Sequence, residues 1–222
     1  MRAFFSARQQ TDAWPRPPIE AAIRRAFGAV TVIGDDQGHT IYEVEDGDLR
    51  FVIALVHHGS ANAGVCEIGF LARFLRYPVS DKALRSLNSG LHLASAFIES
   101  GELYLIARIA ATGSYDETRF GLMLEAWRRD MTFVMATLSG KKSAEAGPPE
   151  LGFDAGRIKE QPTVFAMAYF WRNDPKTLCR RCRGRGRAGL FRRECDACEG
   201  KGFVGAFRAS ESAGAVRADG TR

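Results

Sequence analysis

Along the first half of the chain, apolar residues come in short blocks cut by polar turns, and the pattern then settles into one long helical stripe. Apolar-rich runs at 29–33, 40–45, 49–56 and 64–74 are separated by Asp35-Asp36-Gln37-Gly38, Asp46-Gly47-Asp48 and Gly59-Ser60-Ala61-Asn62. Short runs joined by such turns predict antiparallel strands. A proline-rich entry, Pro15 to Pro18, precedes a helical pattern over 19–27. The span 80–92 predicts a second helix with Ser80 as its N-cap. Segments 94–98 and 102–110 predict a hairpin turning at Glu99-Ser100-Gly101. From 116 to 138, Phe120, Met123, Trp127, Met131, Val134 and Leu138 keep a helical spacing, which predicts a long helix with one face on a core. Residues 18–140 therefore predict an α+β domain.

The pattern changes after that helix. Residues 141–156 are rich in Ala, Gly, Glu and Pro and read as the start of a linker over 141–175. Within it, Val164-Phe165-Ala166-Met167-Ala168-Tyr169-Phe170-Trp171 has no clean period. It could pack back onto the first domain or serve as an exposed docking segment. A second module is expected over 176–206, and the small, polar stretch 207–222 reads as a disordered tail.

Composition adds two things to this picture. The 222 residues, 45% hydrophobic and 26% charged, suit an ordinary globular protein with one core and a small accessory module. No apolar run reaches the ~18–20 residues needed to cross a bilayer, and MRAFFSARQQTDAWPRPP holds no signal-like apolar stretch, so a cytoplasmic protein is expected. The charge is also uneven. Residues 1–140 carry 14 Lys/Arg and 16 Asp/Glu, whereas 141–222 carry 17 and 10, so the net +5 is the sum of −2 and +7.

Four of the five cysteines fall in the basic part. Cys179-Arg180-Arg181-Cys182-Arg183-Gly184-Arg185-Gly186 is echoed by Cys195-Asp196-Ala197-Cys198-Glu199-Gly200-Lys201-Gly202, with twelve residues between the cysteine pairs. Two cysteines three positions apart on a tight turn converge on one ion, and a second turn completes a tetrahedral four-thiolate shell. The spacer suits a hairpin turning near Ala188-Gly189. About thirty residues cannot bury enough apolar surface to fold unaided. Zinc can supply on the order of 10–16 kcal/mol. One structural zinc held by Cys179, Cys182, Cys195 and Cys198 is thus expected, with a redox-active pair of CxxC motifs as the alternative.

These two CxxCxGxG repeats resemble the cysteine-rich domain of the DnaJ co-chaperone family. The resemblance implies one zinc centre and an affinity for non-native or extended polypeptide; the chain has no His-Pro-Asp signature, so a J-domain's ATPase stimulation does not carry over. In the stretch 84–138, the helix ending Leu87-Asn88, the hairpin with its Glu99-Ser100-Gly101-Glu102 turn, Gly113 and the helix from Asp116 resemble the YbjN-like family, similar in fold to type III secretion chaperones. That resemblance implies an antiparallel sheet with helices packed on one side, and polypeptide binding or a homodimer without catalytic residues.

Arg183, Arg185, Arg187, Arg192 and Arg193 lie between the cysteine pairs and are expected to meet a partner. The span 176–206 holds nine basic and three acidic residues; four thiolates and a divalent ion add −2, leaving +4. A surplus of that kind suits an anionic partner, either an acidic protein face or RNA and the ribosome. Only Phe191 interrupts the basic run, so no stacking platform for single strands is evident. Elsewhere catalysis finds little support. His57 and His58 are adjacent and point to opposite faces. Cys66 alternates with Ile68 and Phe70 and reads as a small buried hydrophobe. Asp35, Asp36, Glu43, Glu45, Asp46 and Asp48 read as solvated turns. The expected function is a non-enzymatic chaperone-like or adaptor protein with a polypeptide partner. The alternatives are an RNA- or ribosome-associated zinc protein and a thiol–disulfide oxidoreductase.

Overall fold

Pro17 and Pro18 are inside the first helical turn rather than ahead of it: α1 spans Arg16–Ala26, where a missing N–H costs nothing. In this computed structural model, residues 13–35, 38–57, 64–74, 79–99, 101–139, 175–189 and 192–205 are described. The linker to 174 with its aromatic run 164–171, the tail 207–222, His58, Asp36 and Phe191 lie outside the described residues.

Four strands follow α1 as a meander: β1 (Ala29–Asp35), β2 (His39–Asp46), β3 (Leu49–His57) and β4 (Val65–Phe74). Then come α2 (Asp81–Gly90), β5 (Ser95–Glu99), β6 (Glu102–Ala110) and α3 (Glu117–Ser139). Ser80 caps α2, its side chain accepting from the Ala83 N–H at 3.3 Å, and Asp116 accepts from the Arg119 N–H at 3.1 Å to start α3. The fold is α+β, with a mostly antiparallel sheet in the order β1-β2-β3-β4-β6 and β5 on the far edge of β6.

The expected stripe of α3, Phe120 to Leu138, is buried throughout. Trp127 packs at 5.6 Å from Phe51 and 5.2 Å from Phe70, ring centre to ring centre, which seats α3 on one face of β3 and β4. The opposite face is also dry: Val52 and Leu71, register partners pointing away from Trp127, are buried too. That explains why β3 reads as a continuous apolar run at Phe51-Val52-Ile53-Ala54-Leu55 and not as an alternating one.

Sequence separates the cysteine module from this domain, but the structure shares a sheet between them. Strand β7 (Lys176–Leu178) runs parallel to β6 at Ile109, and β10 (Phe203–Gly205) pairs antiparallel with β7. Leu178 and Phe203 are buried within the main core. Between them β8 (Arg187–Ala188) and β9 (Arg193–Glu194) form a small separate hairpin.

Candidate metal centre

Each CxxCxGxG repeat folds into the same turn, and the two turns brace each other. The Cys179 N–H donates to the Gly202 carbonyl at 2.9 Å, and the Cys195 N–H donates to the Gly186 carbonyl at the same distance. The glycines are required by close approach as well as by positive φ. A Cβ on Gly186 (φ 69°) would sit 2.1 Å from the Gly200 carbonyl oxygen, and one on Gly202 (φ 85°) 2.4 Å from that of Gly184.

This crossing brings the four sulfurs together. Cys179 Sγ lies 3.8 Å from Cys195 Sγ, and Cys182 Sγ lies 3.6 Å from Cys198 Sγ. All four are buried and within 4.8 Å of one another. Sulfurs placed tetrahedrally about 2.3 Å from a zinc-sized ion stand about 3.8 Å apart. A disulfide needs about 2.05 Å. The cluster therefore fits a four-thiolate metal site and not a pair of disulfides. Burial and its thiol neighbours push Cys198 up to about 12, even though the Gly202 N–H points at its sulfur; burial likewise pushes Cys182 up. Burial also opposes ionisation of Cys179, but the N–H groups of Cys182 and Arg181 together with the Cys182 and Cys195 thiols draw that thiol down. A divalent cation inverts this balance by neutralising the thiolates it binds.

Arg183, Arg185, Arg187, Arg192 and Arg193 are all exposed, and none enters the sulfur cluster. Arg181 pairs with Asp196 at 3.1 Å. Beside the metal site a cleft of about 530 Å³ runs between the cysteine turns and β10, lined by Arg180, Arg181, Glu199, Lys201, Phe203 and Gly205 among others.

Two residues that sequence reading passed over fix the module's root. Lys176 Nζ donates to the Leu93 carbonyl at 2.6 Å. Asp130 on α3, fully buried, accepts from the N–H groups of His92 (3.0 Å), Leu93 (2.8 Å) and Ala94 (2.8 Å). A charged residue inside the apolar stripe of α3 was the available signal, since a buried carboxylate must be fully hydrogen-bonded.

The other candidates have structural roles. His57 is buried, its Nε2 2.8 Å from Thr40 Oγ1, which donates to Asp35 at 2.7 Å. Asp35 in turn accepts from Arg16. Asp46 is no solvated turn residue: Arg128 of α3 donates to it at 2.8 Å. Glu43 and Glu45 both lie beside Arg50. Cys66 is half-buried, its thiol donating to the Val56 carbonyl at 3.4 Å, and burial raises its pKa. No helix among the described residues is long and apolar enough to cross a membrane. Comparison of the chain with family models, curated proteins and solved structures gave no match to any of them.

Proposed function

We propose that this chain is a non-enzymatic, chaperone-like adaptor whose basic, zinc-ordered module takes hold of an extended polypeptide. The cleft beside the metal site carries this reading, because residues of the edge strand β10 line it together with Arg180 and Lys201. Backbone groups and cations together suit a peptide chain. Zinc is the ion favoured by four thiolates with tetrahedral edges, and a closed shell of that kind is structural. It also leaves no free thiolate for disulfide exchange. The α+β domain, with its resemblance to YbjN-like proteins and type III secretion chaperones, would hold the module in place and present it in the cytoplasm.

The direct test pairs two measurements on the chain purified without added metal. Elemental analysis should return one zinc per chain. Reduced, carboxymethylated α-lactalbumin, an unfolded acidic polypeptide, should bind in fluorescence anisotropy. Binding of poly(U) with no binding of the polypeptide would turn the reading to RNA.

A further inference from the structure

Strand β10 ends the sheet, and its register shows which of its backbone groups face outward. One step beyond the Leu178–Phe203 register pair, the Cys179 N–H donates to the Gly202 carbonyl, which marks those two residues as a hydrogen-bonded pair continuing the antiparallel ladder. Such pairs alternate along the strand. By that alternation Val204 and Thr177 form the next hydrogen-bonded pair, and the N–H and C=O groups of Phe203 and Gly205, two residues that line the cleft, point away from β7. Among the described residues, no strand pairs with that edge.

We infer that β10 accepts an extended acidic segment of another polypeptide as an added strand, paired to the outward groups of Phe203 and Gly205. This rests on the polypeptide-binding reading above and specifies where and how the chain binds. Two donors and two acceptors on one edge are what strand addition uses. The charge around them selects the occupant. Arg180 and Lys201 line the cleft against a single Glu199, Arg181 being matched by Asp196. The chain's own longer segments outside the described residues do not fit that edge. Residues 1–12 carry two Arg and one Asp and 206–222 three Arg against two acidic residues, both net basic; 140–174 balances five basic against five acidic residues, and its one acidic stretch, 143–156, is interrupted by Gly147-Pro148-Pro149, a poor sequence for strand pairing. An acidic strand from a partner does fit it.

The test uses the full-length zinc-loaded chain and a fluorescein-labelled eight-residue peptide alternating valine and glutamate. Three probes accompany it: the same peptide N-methylated at alternate amides, its Gln-for-Glu analogue, and unfolded carboxymethylated α-lactalbumin. Gly205→Pro removes an outward N–H donor. Strand addition predicts that the acidic peptide binds, that N-methylation and Gly205→Pro each weaken it about tenfold at unchanged zinc content, and that the Gln analogue binds more weakly. The N-methylated peptide keeps the test decisive if Gly205→Pro does not fold. If N-methylated and parent peptides bind alike, strand addition is wrong while polypeptide binding stands. If neither the peptide nor α-lactalbumin binds, both readings fall.

Discussion

Lys176 Nζ donates to the Leu93 carbonyl at 2.6 Å, and through that bond the metal-binding module is tied to the loop that Asp130 holds. Lys176 begins β7 and Leu93 precedes β5, so two segments competing for the same edge of β6 are fixed end to end. The metal site is thus built onto the sheet, with consequences for both parts.

Asp130 should be among the most sensitive positions in the chain. Asp130→Ala strips three backbone N–H groups of their acceptor inside the core, at a cost of about 3 kcal/mol or more. Asp130→Asn keeps one acceptor oxygen and should lose less. Urea unfolding midpoints would rank the two; equal stability for Asp130→Ala and wild type would mean the loop finds other partners.

Metal removal should reach beyond the cysteine turns. Leu178 and Phe203 belong to the main core, and burying each contributes about 1.5–3 kcal/mol. Cys198→Ser, which leaves three thiolates, is therefore expected to lose zinc, to speed hydrogen exchange at Ile109 and Ala110, and to lower the stability of the α+β domain. An unchanged melting transition for that domain would show that β7 and β10 can leave without cost. The sequence composition of 141–156 suggests such independence; the shared sheet argues against it.

Trp127 is fully buried between Phe51 and Phe70, so Trp127→Ala should cost about 3–5 kcal/mol in denaturant unfolding. Its indole N–H has no hydrogen-bond partner among the described residues. Trp127→Phe, which removes that unmet donor, should therefore cost much less than the alanine variant.

His57 gives stability a pH dependence of known sign. Burial lowers its pKa in the fold, with Arg16 and His39 adding to the effect and Asp35 opposing it. Below about 6.5 the unfolded chain takes up a proton on this residue that the folded chain resists. Its contribution is therefore complete above that pH and is lost as pH falls through the folded value. Unfolding free energies at pH 7 and pH 5 should differ less in His57→Gln than in wild type.

Local order was readable because local spacing encodes it. The Phe120-to-Leu138 stripe, the Ser80 cap and the 94–110 hairpin each rest on neighbours within a few residues, and the paired CxxCxGxG turns carry their own ligands and glycines. What escaped the sequence depends on distant partners. Nothing near Asp130 in the chain announces Leu93 and Ala94 as its donors, and nothing near Lys176 announces Ile109. The dry second face of β3 was overlooked for a different reason. Helices on one side of the sheet were expected, and Val52 and Ala54 inside the run 51–55 already argued for burial of the other face as well.

The arginines between the cysteine pairs allow the most direct separation of structure from binding. Arg183, Arg185, Arg187, Arg192 and Arg193 are exposed and outside the sulfur cluster, so replacing all five with serine should leave one zinc per chain. Arg183 and Arg192 hold positive φ, at 53° and 48°, which serine tolerates no better than arginine, so the turns keep their strain but do not gain any. If these residues draw in an acidic polypeptide, its affinity should fall about tenfold at low salt, mostly through slower association, and the loss should shrink as salt rises. If the partner were nucleic acid, log affinity would fall linearly with log salt in wild type, and the slope would flatten with each arginine removed. If the arginines served only to balance the thiolates, the five-fold variant would bind polypeptide like wild type but release zinc to a weaker chelator. Zinc retention and polypeptide affinity measured on the same preparation therefore decide among the three, and intact binding with weakened zinc would overturn the assignment of a partner surface to this hairpin.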